Sequence, residues 1–245
     1  SVARSDLQFE VHITDIMPRT ANIKIIPSNL KESYTAVVMY AENMPEGDNA
    51  TQLAYVMENY YPFVLTGRYS ERVTNLTPDC EFILAIYGIY ADAPTTDLFV
   101  YRFTTKAEGV GTNRITNVQW SAYDLYEVID IEDYYYNMLG TGEYFLSMEV
   151  TTAEPTQRVH FSVYRDDQFE ELGPEGVRAD LLDYSYNTLF DWSLCYYGNT
   201  YIICGFAEDE NGYIGELYIS EPITVKQGET SNPQDFVDRY KDYTE

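Results

Sequence analysis

Along much of the chain apolar and polar residues alternate with a period of two, which puts every second side chain on one face of a strand. Gln8 to Thr14 is the clearest case, with Phe9, Val11 and Ile13 on one face and His12 directed outward. Ala21 to Pro27 reads as a second strand closed by proline, and Tyr34 to Tyr40 as a longer, more apolar third. After Glu46-Gly47-Asp48-Asn49 the period changes. Leu53, Val56, Met57 and Tyr60 fall at helical spacing, which predicts a short helix capped by Asn49 or Thr51. Short strands at 63–65 and 69–74 precede a proline turn, Leu76-Thr77-Pro78-Asp79. That turn runs into a long apolar strand, Cys80 to Tyr90, and Leu98 to Thr105 closes the set.

The same order then returns. Lys106 to Thr112, with Gly109 and Gly111, reads as a linker. Ile115 to Ser121 gives a first strand, and 144–150 and 159–164 are paired inner strands. Pro174 to Tyr186 carries Val177, Leu181, Leu182 and Tyr184 at helical spacing, where the first copy placed its helix. Tyr197 to Ala207 is the second version of the long strand, Asn211-Gly212 signals a turn, and Glu216 to Val225 is the last strand. The insertion Tyr123 to Gly142 is acidic, rich in tyrosine and the least strand-like stretch. Near the end, Asn232 and Pro233 open a helix with Phe236, Val237, Tyr240 and Tyr243 on one stripe. A helix this short is marginal alone, so the stripe is expected to dock on the second sandwich. The predicted fold is mainly β: sandwiches over 1–107 and 108–228, each with a short inserted helix, and a helical tail over 229–245.

The two long strands share an oddity. Phe82, Leu84 and Ile86 make one apolar face, and Ile83, Ala85, Tyr87 and Ile89 make another. Ile202, Cys204 and Phe206 repeat this in the second copy. A sandwich strand ordinarily has a polar outer face, so each inserted helix is expected to cover the outer one.

Charge narrows the partners. The formal net charge is −25, with 8 Lys and Arg against 13 Asp and Glu in residues 1–107, and 7 against 27 in residues 108–245. Nucleic acid is excluded as a partner, because phosphate binding needs clustered cations. The acidity of the second half suits solubility, or a cation or basic partner. No apolar run approaches the roughly 20 residues of a membrane span. Three cysteines, Cys80, Cys195 and Cys204, are an odd number without zinc spacing. They read as buried free thiols, with a Cys195–Cys204 bridge as the alternative. The chain opens on Ser1-Val2-Ala3-Arg4 without an apolar segment, and the expectation is that any signal peptide has been removed or never existed.

Candidate chemistry is sparse. His12 and His160 both alternate with apolar neighbours and are expected to be exposed strand residues. No Ser-His-Asp order, nucleophile elbow or glycine-rich phosphate loop is present. Three acidic groups stand out: Glu208-Asp209-Glu210-Asn211-Gly212, Asp166-Asp167 with Glu170-Glu171, and Asp130 with Glu132-Asp133. None has calcium-loop spacing, and each is expected to be a solvated acidic turn. No catalytic residue, metal ligand or cofactor site is assigned. Tyrosine is abundant, at 25 copies, and Tyr60-Tyr61, Tyr134-Tyr135-Tyr136 and Tyr196-Tyr197 fall in or beside loops. Tyrosine offers a flat apolar ring and a hydroxyl at low entropic cost. These seven are the candidate binding residues, for a sugar or a protein; the other reading has them capping the sandwich ends and the domain junction.

Leu76-x-Pro78-x-Cys80-x-Phe82 resembles the turn and tyrosine-corner segment of fibronectin type III domains. The fold class implied is a tandem pair of immunoglobulin/fibronectin III-like sandwiches. Phe9 to Pro27, a helix, Leu76 to Tyr90 and Phe103-Thr104-Thr105-Lys106 together resemble paired-sandwich lipoproteins of Bacteroidetes-type bacteria, over nearly all of 8–106 and more weakly over 143–226. Phe82 stands where that corner has tyrosine, whereas Tyr201 is able to supply the hydroxyl in the second copy. The resemblance implies an extracytoplasmic place, at the outer-membrane surface or in the periplasm, with a lipid anchor upstream. The expected function is a non-enzymatic surface or periplasmic binding or adhesion module for a protein or glycan. The alternatives are a structural spacer pair and a carbohydrate-active enzyme, which would need two converging carboxylates.

Overall fold

The structure, a computed structural model, describes residues 4–156, 158–184 and 188–244. Ser1-Val2-Ala3, Tyr186 and the side chain of Tyr184, all part of the sequence reading above, lie outside. The chain divides into two compact units, Ser1–Glu108 and Gly109–Glu245.

The first unit is a sandwich of two antiparallel sheets with a helix on one outer face. β1 (Phe9–Thr14), β2 (Ala21–Pro27), β3 (Ser33–Tyr40), α1 (Asn49–Asn59), β4 (Val64–Thr66), β5 (Tyr69–Val73), β6 (Glu81–Tyr90), β7 (Ala93–Pro94) and β8 (Phe99–Thr104) follow in order. One sheet runs β1-β2-β5; the other runs β4-β3-β6, with β7 and β8 also paired to β6. Between the sheets lie Ile23, Ile25, Tyr34, Leu84 and Ile86. Ile83, Ala85, Tyr87 and Ile89 pack instead with Val56 and the neighbouring Leu53 and Met57 of α1. The helix therefore covers the second apolar face of β6, as its sequence required. The cap is Asp48, not Asn49 or Thr51: its carboxylate accepts the Thr51 N–H at 2.9 Å and the Thr51 hydroxyl at 2.7 Å. Asn49 is used differently, exchanging two hydrogen bonds with the backbone of Leu98.

The turn before β6 shows how the unit copes without a corner tyrosine. Phe82 stacks on Phe103, and Tyr40, its partner across the strands, lies tilted against it with ring centroids 5.0 Å apart. The Tyr40 hydroxyl shares a 2.8 Å hydrogen bond with the Thr77 side chain. Thr105 donates to the Thr77 carbonyl and accepts the Cys80 N–H. Cys80 precedes the strand and is only half-buried.

The second unit repeats the sandwich and adds helices to both outer faces. Its elements are β9 (Ile115–Asp124), α2 (Leu125–Ile131), a 3-10 turn over Asp133–Met138, β10 (Tyr144–Thr152), β11 (Val159–Arg165), α3 (Asp166–Tyr184), β12 (Phe190–Cys195), β13 (Thr200–Ala207), β14 (Tyr218–Ile219), β15 (Ile223–Thr224) and α4 (Pro233–Arg239). One sheet is β12-β10-β9; in the other β13 pairs with β11, β14 and β15. The interior holds Tyr144, Leu146, Met148, Phe161 and Ile203. Val177 and Leu181 of α3 cover Ile202, Cys204 and Phe206. On the far sheet, α2, the 3-10 turn and α4 bury Phe145, Tyr123 and Tyr135 around Phe236 and Tyr240. The order of layers in this unit is helix, sheet, sheet, helix.

Several expectations need correction. α3 begins at Asp166, so Asp166-Asp167 and Glu170-Glu171 are helical, with the aspartates at the end where carboxylates offset the helix dipole. Gly173, at φ 64°, breaks it, and Pro174 restarts it. The last strand is two short pieces, with Pro222 in the gap between them. All three cysteines are free; Cys195 lies between the sheets and Cys204 under α3, so no bridge joins them. The tail helix is capped by Asn232, whose side chain accepts the Gln234 N–H, and buries Phe236 and Tyr240 but leaves Tyr243 exposed.

Candidate functional site

The seven candidate tyrosines separate into two kinds. Tyr135 is fully buried, edge-on to Phe145 at 5.3 Å and to Phe236 at 5.5 Å. Tyr197 is half-buried and stacks on Tyr144 at 5.1 Å. Its hydroxyl donates to Asp124 at 2.6 Å, and burial together with that carboxylate raises its pKa. Tyr60 ends α1 and packs on the first unit's outer cluster beside Tyr55. Of these three only Tyr135 is closed off from a ligand; Tyr60 and Tyr197 stay partly exposed. The cause is local: in the run Tyr134-Tyr135-Tyr136 the 3-10 turn points the middle ring down onto the sheet and its neighbours out.

The exposed candidates are Tyr61 at 93%, Tyr134 at 50%, Tyr136 at 66% and Tyr196 at 42% exposure. The structure adds Tyr126 at 63% and Ile131 at 43%, both on α2, which sequence reading passed over. Tyr126, Ile131, Tyr134 and Tyr136 stand on two successive helical pieces whose opposite sides are held in the core by Leu125, Val128 and Tyr135. Asp124 caps α2 through the Glu127 N–H, and the Glu132 side chain accepts the Tyr134 N–H to open the 3-10 turn. Two acids thus fix the scaffold that presents the rings. The Tyr196 hydroxyl reaches the Gly140 carbonyl at 3.4 Å, just beyond that turn. In the first unit Tyr61 adjoins the exposed Phe63 and, on the edge strand β4, the exposed Val64.

The acidic turn after β13 and the second histidine were both misplaced by the pattern. Glu208 and Asp209 are buried. Asp209 accepts the N–H groups of Asn211, Tyr213 and Thr112, and Asn113 donates to the Glu208 carbonyl. His160 is buried as well, 2.9 Å from Glu208 and over the Phe206 ring at 4.9 Å, with Arg158 at 3.8 Å from the same carboxylate. These acids organise the backbone from 111 to 114 around the turn and are spent on it. Gly215 makes that approach possible, since a Cβ there would meet the Asn113 carbonyl oxygen at 1.8 Å. His12, by contrast, is partly exposed and pairs with Glu10 at 2.8 Å.

Two open concavities are present. One, of about 520 Å³, lies on the polar face of β1-β2-β5 and is lined by His12, Lys24, Glu71 and Arg72 among others. The second, of about 660 Å³, is lined by residues 109–114 with Arg178, Ile214 and Glu216. Each contributes a single lining carboxylate. Among the described residues no group of three metal-ligating side chains converges, and no helix is long and apolar enough to cross a membrane.

No family model matches the chain, and no curated protein matches it. Among solved structures it is similar to the central fibronectin III array of RIM-binding protein, at 13% identity and a TM-score of 0.27 over 92% of this chain and 64% of that one. It is also similar to a two-domain fibronectin type III segment of chicken tenascin, at 7% identity and 0.27 over 90% and 100%, and to the FN1–FN3 domains of chicken CNTN1, at 9% and 0.28 over 92% and 68%. The chain spans just under two thirds of the first of these.

Proposed function

We propose that this chain is a non-enzymatic binding module that acts outside the cytoplasm, and that its acting surface is the tyrosine face of α2 and the following 3-10 turn. The observation that carries the reading is the exposure of Tyr126, Ile131, Tyr134 and Tyr136 within one short stretch of the second unit. Large apolar side chains grouped at the surface mark interaction sites. The rings sit on two helical pieces anchored in a core, so little order is lost on binding. A glycan or a protein is the class of ligand such rings suit.

The chemistry around the two histidines supports a non-enzymatic role. One is engaged by Glu10 at the surface and the other by Glu208 in the interior. Glycoside hydrolysis needs two carboxylates across a cleft, and each of the two concavities described above is lined by one. The polar, bare face of β1-β2-β5 suits a spacer role for the first unit within the same chain. The resemblance to paired-sandwich lipoproteins supports export and an upstream anchor.

The test is a glycan array together with binding to cell-surface protein fractions, using the chain and its Y126A/Y134A/Y136A variant. Binding that disappears in the variant, with far-UV and near-UV circular dichroism retained, supports the reading. Binding of equal strength in both proteins places the acting surface elsewhere.

A further inference from the structure

We propose that the tyrosine face of the second unit docks a cationic segment of a partner protein, one that lays Lys or Arg side chains over the Tyr126, Tyr134 and Tyr136 rings. This deepens the binding role given above and rests on it. The surface is apolar, and its charge complements a cation. Between Arg114 and Arg158 the chain has no Lys, Arg or His, and it has Asp124, Glu127, Asp130, Glu132, Asp133, Glu143, Glu149 and Glu154. The exposed rings stand in the middle of that stretch, interleaved with Glu127, Asp130, Glu132 and Asp133. Among the described residues none of these four forms an ion pair, whereas Glu149 is neutralised by Arg239 at 3.2 Å. The face therefore combines aromatic π-surfaces with uncompensated carboxylates.

A guanidinium or ammonium over a tyrosine ring is attracted by the ring's quadrupole, and a carboxylate beside it adds a charge-assisted hydrogen bond. The unit uses the same pairing internally twice, with Arg178 over Phe206 and Arg239 over Phe190, each at 5.3 Å. Nucleic acid, anionic glycans and anionic membrane surfaces are repelled by this face. A second copy is the poorer fit, because the chain holds 15 Lys and Arg against 40 Asp and Glu.

The probe is a fluorescein-labelled (Gly-Ser-Arg)4 peptide, compared with (Gly-Ser-Gln)4, (Gly-Ser-Glu)4 and neutral hexasaccharides, by fluorescence anisotropy on the whole chain. The arginine peptide is expected to bind, more weakly as salt rises. Affinity should fall about tenfold in Y126A/Y134A/Y136A, which leaves the charge unchanged, and be kept in Y126F/Y134F/Y136F. D130N/D133N should cost about threefold or more, and E170Q/E171Q on α3, with the same change in net charge, less than about twofold. Equal effects of the two acid pairs, or no effect of removing the rings, would show attraction by net charge alone and overturn the proposal. Binding of a neutral hexasaccharide, lost in the alanine variant, with no preference for the arginine peptide would also overturn it while keeping the binding role. Ring-dependent self-association in sedimentation equilibrium would replace the partner with a second copy. Failure of every probe together with undiminished binding in the array experiment would remove both readings.

Discussion

Two buried tyrosines of the second unit hold their hydroxyls in opposite circumstances. Tyr201 accepts the Tyr196 N–H at 2.8 Å, five residues upstream, and so makes the corner bond that Phe82 cannot make in the first unit. Tyr135 has no hydrogen-bond partner for its hydroxyl among the described residues, and desolvation pushes its pKa up to about 12. Removing a hydroxyl that leaves a partly buried N–H unmatched costs roughly 1 kcal/mol, whereas removing an unmatched hydroxyl costs nothing of that kind. Tyr201→Phe should therefore lower the urea midpoint of the second unit by an amount worth about 1 kcal/mol or more, at unchanged slope. Tyr135→Phe should leave it level or raise it. The reverse ranking would refute the hydrogen-bond reading. Asp48 makes a pH-dependent counterpart. The Thr51 hydroxyl and amide hold its carboxyl below the usual carboxylate value. A depressed folded pKa means that the stabilisation is present above the unfolded value and is lost as pH falls through the folded one. The helical signal of α1 should weaken in that acid range, and Asp48→Asn should remove this part of the pH dependence.

At the scale of elements, the helices decide which faces are interior. Phe236 of α4 is fully buried and stacks on Phe145 at 4.3 Å. Truncating a buried phenylalanine costs about 3–5 kcal/mol, so Phe236→Ala should destabilise the second unit by that order and leave the first unit's transition in place. Calorimetry of the whole chain resolves the two, and a shift shared equally between them would contradict the unit assignment of the tail. The helix α1 was legible from sequence because Leu53, Val56 and Met57 broke a period of two. The cover over β6 was legible because Ile83, Ala85 and Tyr87 were too apolar for solvent. His160 was not legible. Alternation separates two faces but does not say that both are interior, and on β11 the second face lies under α3. The first half of α3 was hidden by its acidic sequence and by Gly173-Pro174, which reads as a stop. The helix α2 has seven residues, too few for a periodic signal, so Tyr126 was missed with it. The buried state of Glu208 and Asp209 depends on Asn113 and Thr112 nearly a hundred residues earlier, which no local pattern reports.

The two units of the molecule differ most on matching faces. In the first, the outer side of β1-β2-β5 shows Lys24 and Ser70 to solvent; in the second, the corresponding sheet carries Phe145, Trp192 and Leu194 under helices. The second unit also gathers most of the perturbed protons. Desolvation raises the phenols of Tyr135, Tyr144, Tyr164 and Tyr197 and pushes the thiols of Cys195 and Cys204 up to about 12. A raised folded pKa means that the native state keeps protons the unfolded chain releases. Stability is then complete below the ordinary values of 9.0 for the thiols and 10.0 for the phenols, and drains away as pH climbs beyond them. Absorbance at 295 nm should show a steep step of tyrosine ionisation that coincides with loss of near-UV circular dichroism. A smooth titration of every tyrosine with the dichroism intact would contradict this.

The edge-on contact of Tyr135 with Phe236 has a practical corollary. Tyr135 is the keel between Tyr134 and Tyr136, and it rests on a side chain supplied by the last few turns of the chain. A proteolytic clip behind Val225 would leave every exposed ring of that surface covalently untouched and still disarm it. Fragments ending before the tail are thus poor reagents for finding whatever this surface grips.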